Sequence, residues 1–140
     1  MAGMMPFPVR LHPGQDVRDA LAAVLASQAL QAAFVLQGIG SLSHAQLRLA
    51  GASVPLALHG DIEILTLAGT LGPDGVHLHM TLADADGRVF GGHVASGCLV
   101  RTTAEVLLLL LPQHRFGRTV DPLTGFAELL VGPACAVLHG

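Results

Sequence analysis

Lysine is absent from this 140-residue chain, and charged residues of every kind make up only 12% of it. Seven arginines against ten acids leave a formal net charge of −3 with histidine neutral. That balance argues against a broad basic face for gripping a nucleic-acid backbone. Eight histidines can alter it only when several are protonated. Cysteine is nearly missing too: Cys98 and Cys135 give no disulfide framework and suit a reducing compartment. The greasiest stretch, Val106 to Leu111, stops at Pro112, far short of the ~20 residues a bilayer span requires. Residues 1–9 have no basic start followed by an apolar run, since Pro6 and Pro8 interrupt them, so no secretory signal is expected. Repeats, linkers and low-complexity tracts are also lacking. The expectation is a soluble, cytoplasmic protein with no membrane partner.

What is present is apolar: 51% of the residues. So little charge leaves a monomer poorly covered, and burial of apolar surface between subunits is expected. The length predicts one domain over 1–140, with its core at about 7–131. Phe7–His12 alternates as an opening strand, and Pro13-Gly14 breaks it. Asp16 is a natural N-cap, and Val17, Leu21, Val24, Leu25 and Leu30 recur at helical spacing, predicting a helix over 16–30. Strand-like segments follow at 33–36, 38–41, 45–49 and 62–68, with a turn inside 69–75. Residues 98–111 read mostly as strand despite their leucine run, and 126–131 as a last short strand before a loose tail at 132–140. The fold class is α+β, with a mainly antiparallel sheet and one prominent N-terminal helix.

Three histidines stand out: His77 and His79 in Val76-His-Leu-His79, and His93 after Gly91-Gly92. The segment Asp84-Ala-Asp86-Gly87-Arg88 reads as a type I turn closed by a glycine bulge, which pairs Asp84 with Arg88. Counting outward sets His79 directly across from His93, in strands at about 76–83 and 88–96. Residues i and i+2, and residues directly opposed, share a face. All three imidazoles then project from one side with Thr81, Ala83, Val89 and Ala95. Val76, Leu78, Met80, Leu82, Phe90 and Val94 form the opposite, apolar side. A one-residue slip would scramble both faces. One reading of the triad is a divalent metal site, zinc or a similar ion: neutral imidazoles suit zinc, and three protein ligands plus an open position is the catalytic pattern. The other is a polar face where histidines bond one another, water or a neighbouring subunit.

Other residues invite sharper and plainer readings. Glu63 and Glu105, each flanked by apolar residues, are the acids expected to be held inside, either as a general base near a metal or satisfied by Arg101 or backbone donors. The glycines at 38, 40, 91, 92 and 97 could line a small-ligand pocket, although bulges and close strand packing explain them as well. Gly92, across from Met80, is expected to lie where a larger side chain would meet the helix. Arg115-Phe-Gly-Arg118 is the basic cluster, expected in a loop and suited to salt bridges between subunits. Cys98 is expected to be a buried, inert thiol.

Several of these strings together resemble one family. Gly38-Ile-Gly-Ser41, Gly60-Asp-Ile-Glu-Ile-Leu65, Val76-His-Leu-His79 with Leu82-Ala-Asp84 and Gly87, Gly91-Gly-His93, Gly97 and Thr102-Thr-Ala-Glu-Val106 look like the PPC ("plants and prokaryotes conserved") domain. The likeness spans roughly residues 7–131. It implies one prominent helix against an antiparallel sheet, assembled as a homotrimer, and a distant similarity to part of acetolactate decarboxylase, whose metal is held by histidines in a related hairpin. His77, His79 and His93 match the family's histidine positions. Gly60 to Leu65 matches a motif linked in plants to partner contact, which there reads Gly-Arg-Phe-Glu-Ile-Leu, so Asp61 and Ile62 depart from it. The family's name also brings a DNA-binding label, carried in plants by AT-hook segments; no Arg-Gly-Arg-Pro hook occurs here. The implied functions are a trimeric metal-binding module with a small-ligand pocket, a DNA-associated regulatory protein, or a metal-dependent, lyase-like enzyme. Against the last stands the expectation that this chain has no spare segment to set acid and arginine groups around its metal.

Overall fold

A computed structural model describes residues 3–135, as eight strands and one helix, so the expected tail lies largely outside the described residues. The strands are β1 (Met5–Leu11), β2 (Ala33–Arg48), β3 (Leu56–Gly72), β4 (Gly75–Ala83), β5 (Val89–Val94), β6 (Leu99–Leu110), β7 (His114–Val120) and β8 (Ala127–Pro133); the helix α1 is Val17–Ser27. All strand pairings within the two sheets are antiparallel.

Asp16 caps α1 as its sequence position demands, accepting from the Asp19 N–H at 3.1 Å. Its second oxygen accepts from Gly97 N–H at 2.7 Å, tying the helix start to the turn before β6. The helix stops at Ser27 rather than residue 30, and the chain turns away through Ala29 in the left-handed region (φ 53°). No glycine marks that end, so the stop signal was absent from the sequence. Val17, Ala20, Leu21 and Leu25 are the buried stripe of α1, whose main contacts are to β3 and β4.

The large sheet runs β1-β6-β2-β3-β4-β5, and the end of β2 also pairs with β5 through Leu47–Val94 and Arg48–His93. Strands β2, β3, β4 and β5 therefore close on themselves at that end, and β1 keeps a free edge. The three segments expected at 33–36, 38–41 and 45–49 are one 16-residue strand, bent by register shifts near Gln37, Gly40 and Leu42. Such shifts are how one strand turns to serve two neighbours. At the first, the Gln37 side chain accepts from Gly38 N–H and Leu67 N–H, at 2.9 and 3.0 Å. Gly40 is required where β2 crosses β6: a Cβ there would lie 2.3 Å from the Thr103 carbonyl oxygen. Gln37 and Gly40 thus account for a bend that alternation alone hides. Likewise β3 is 17 residues long, not the seven expected at 62–68.

The leucine run is strand, β6, with Ala104, Val106, Leu108 and Leu110 buried and Glu105 and Leu107 exposed. Beyond it, β7 and β8 form a separate hairpin, so Arg115 to Arg118 lie in a strand and not in a loop, and Gly132 and Pro133 are strand and not tail. This hairpin is fastened by Phe116, which is buried, packs edge-on against Phe34 at 5.4 Å and donates its N–H to the Gln31 carbonyl. Arg115 also pairs with Asp74 at 3.3 Å, inside the molecule.

Candidate metal site

The β4–β5 hairpin has the register its turn residues dictate. Asp84 N–H donates to the Arg88 carbonyl, Gly87 N–H returns to the Asp84 carbonyl, and Gly87 sits at φ 79°. The Asp84 carboxylate also accepts from the N–H groups of Asp86 and Arg88 and from Arg88 Nε. Those donors, with the Arg88 charge, hold the Asp84 carboxyl below the usual aspartate range, against the opposing effect of desolvation. From this turn His79 falls opposite His93, and Leu78, Met80, Leu82 and Val94 point into the core.

The three imidazoles converge. One nitrogen of each lies within 4.8 Å of the others, and His77 Nε2 is 3.1 Å from His79 Nε2. Two nitrogens on one tetrahedral zinc would sit about 3.3 Å apart, given Zn–N bonds of about 2.05 Å, so small side-chain rotations suffice. His93 Nδ1 is buried with no hydrogen-bond partner, the one such side-chain atom among the described residues. A buried nitrogen lone pair without a donor is costly unless something coordinates or protonates it. Protonation is disfavoured: burial first, then the Arg48 charge, push His93 down to about 4. Burial, then His79 and Arg118, lower His77 as well. Neutral nitrogens at this spacing fit a divalent cation.

The surroundings are more polar than the sequence indicated. Arg48 stands opposite His93 on β2, and Thr70 stands opposite His77 on β3. Arg118 reaches over from β7 to donate to Thr70 Oγ1 at 3.0 Å, and Arg18 from α1 donates to the Val94 carbonyl at 3.0 Å. A cleft of 540 Å³ is lined by Arg18, Arg48, Asp74, His77, Arg118 and Glu128, among others. A second, of 350 Å³, lies over His77, His79 and His93 and shares Arg48. The expectation that no segment could set acid and arginine groups around the histidines is therefore corrected: α1, β2 and the β7–β8 hairpin supply them. Those residues lie far from the histidines in sequence, and only the β2–β5 closure and the folded-back hairpin bring them in.

The other expected site residues are elsewhere. Glu63 and Glu105 are exposed, because the bend of β2 and the sheet's single covered face put them on the outer side. Arg101 pairs with Asp61 at 2.7 Å and with neither glutamate. Glu105 lies opposite Arg10 and Ile39 in an outer groove of 630 Å³. Gly92 faces β2, not the helix: a Cβ there would meet the Arg48 carbonyl oxygen at 3.0 Å. Cys98 is buried as expected, and burial pushes its thiol up, away from the reactive thiolate.

A sequence model of the Plants and Prokaryotes Conserved (PCC) domain matches residues 1–112. The Bifunctional protein GlmU of a Synechococcus strain is 51% identical over 127 residues, covering 91% of this chain but 20% of that protein. The chain thus spans about a fifth of the length of such relatives. A hypothetical protein from Salmonella cholerae-suis superposes with a TM-score of 0.91 at 36% identity, covering 96% of this chain and 98% of the other. The metal-containing protein AF0104 from Archaeoglobus fulgidus superposes at 0.77 with 28% identity, covering 90% and 93%. The match to the domain model ends before β7, so the hairpin carrying Arg118 and Glu128 lies beyond it.

Proposed function

The chain belongs to the Plants and Prokaryotes Conserved domain family, and we propose that it is a metal-binding module in which His77, His79 and His93 hold one divalent ion, zinc first. The observation carrying this is the orphaned, buried His93 Nδ1 beside two further imidazole nitrogens within 4.8 Å. His77, His79 and His93 would hold the ion, which would supply Lewis-acid chemistry to a ligand brought to it. The residues around it do the rest. The Asp84 turn fixes the register that aligns His79 with His93, and Leu78, Met80 and Val94 anchor the hairpin from below. Burial first, with the Arg48 charge at His93 and with His79 and Arg118 at His77, favours the neutral imidazoles that a metal needs. AF0104, described as metal-containing, supports the reading.

The module acts as a homotrimer in this proposal. Its outer groove across β1, β6 and β2 is lined by Pro8, Val9, Ile39 and Leu107 with Glu105 and Arg10, and Ile39 is 51% exposed. An apolar strip of this kind is characteristic of a subunit contact.

Melting curves with and without a chelator test the metal. Bound ion stabilises the native state by mass action, so chelation should lower Tm and zinc should restore it. An unchanged Tm in both directions would refute the reading. DNA association, the family's other label, has the arginine cleft in its favour but a net charge of −3 against it. Retention of duplex DNA at low salt, lost at moderate salt, would be its signature.

A further inference from the structure

Seven arginines serve this chain, and three of them, Arg88, Arg101 and Arg115, are paired with Asp84 and Asp86, Asp61 and Asp74. Among the described residues the remaining four, Arg10, Arg18, Arg48 and Arg118, form no ion pair. Three of those four line a single cleft, and they reach it from three different elements, α1, β2 and β7. In a protein with ten acids to choose from, that convergence is a specific arrangement. Unpaired guanidinium groups gathered in a concavity are matched by an anion.

We propose that this cleft binds a small anionic molecule bearing carboxylate or phosphate groups, held by Arg18, Arg48 and Arg118, with its far end directed at the histidine site. The inner end of this assignment rests on the metal reading; the arginine end does not. The guanidinium groups are preorganised: Arg18 is fixed by the Val94 carbonyl and Arg118 by Thr70 Oγ1, and each keeps further N–H groups free, since arginine has five. The carboxylates on the rim are engaged elsewhere. Asp74 accepts from Arg115 Nη2 at 3.3 Å and from Arg118 N–H at 3.2 Å, and Glu128 accepts from Thr124 Oγ1 at 3.0 Å.

The position of the charges matters as much as their number. Arg48 lies directly opposite His93, and Thr70, the anchor of Arg118, lies directly opposite His77. Both guanidinium groups are thus held within one strand of the imidazoles, so an anion seated on them would meet a cation bound there. Gly51 and Gly75 leave room in the wall, and Phe126, 71% exposed at the rim, offers an apolar flank. The volume, 540 Å³, is within the range of small-molecule sites. Three arginines in a recess, on a chain of net charge −3, suit a compact anion better than a polymer backbone, which needs a continuous basic stripe.

The test is calorimetric titration of the full chain with inorganic phosphate and with malonate, metal-free and zinc-loaded. Wild type should bind at least one of the two probes in both states, more tightly when loaded and more weakly at high salt. R48Q and R118Q should each weaken binding about tenfold, as loss of a charge-assisted hydrogen bond does. R101Q, outside the cleft and paired only with Asp61, should change nothing. Zinc content and wild-type melting in R48Q and R118Q separate this effect from misfolding; if one of them melts early, the corresponding R48K or R118K, which keeps the charge, should restore most of the affinity. Unchanged affinity in R48Q/R118Q, or no heat with either probe, would overturn the proposal. Binding by metal-free protein that never takes up zinc would uphold the anion site while sinking the metal reading.

Discussion

His93 stands opposite His79 on one side and opposite Arg48 on the other, so a single row across β4, β5 and β2 carries two imidazoles and a guanidinium. Burial, and then the Arg48 charge, explain why His93 resists protonation.

This row makes stability depend on pH. His93 is pushed from its ordinary value of 6.5 down to about 4, and His77 is lowered too. Between those values the unfolded chain binds more protons than the folded one, so stability rises with pH. Metal-free protein should lose Tm as pH falls from about 6.5 towards about 4 through these two imidazoles. His93→Gln should remove part of that slope. Melting of the chelated protein across this range is the check, and identical slopes in wild type and variant would contradict it.

Gly69 is the backbone position on which the site leans hardest. It lies at φ 154°, and an added Cβ would be 2.0 Å from the His77 carbonyl oxygen. Gly69→Ala should cost about 2–3 kcal/mol through displacement of β4 and should weaken metal retention. Gly87→Ala strains only the turn, at φ 79° in open space, and should cost about 1 kcal/mol. Denaturant unfolding of the two variants measures the difference.

The outer groove predicts its own variant. Ile39→Glu places a charge in the apolar strip without touching the buried core, since Ile39 is exposed in the isolated chain. It should convert a trimer to monomers by light scattering while leaving secondary structure unchanged. A wild type that runs as a monomer would remove the trimer from the account.

Local chemistry was readable and long-range closure was not. The Asp84–Arg88 turn specifies its own register within five residues, so the placement of His77, His79 and His93 followed from sequence alone. The α1 cap at Asp16 and the strand nature of the leucine run followed similarly. The single β2 strand did not, because its bulges at Gln37 and Gly40 break alternation and mimic chain breaks. Glu63 and Glu105 were misread for a related reason. Apolar neighbours on a one-sided strand are buried on alternate positions, which leaves an intervening acid in solvent. Arg18, Arg48 and Arg118 meet only through β2–β5 pairing and the returning β7–β8 hairpin, contacts with no local signature.

The central claim is that three imidazoles of one hairpin hold one ion. Elemental analysis of purified protein, as isolated and after zinc loading and dialysis, tests it directly against His79→Ala and His93→Ala. Wild type should hold about one zinc or similar divalent ion per chain and either variant almost none, with both variants folded. Metal-free wild type after loading, or variants that retain the ion, would contradict it.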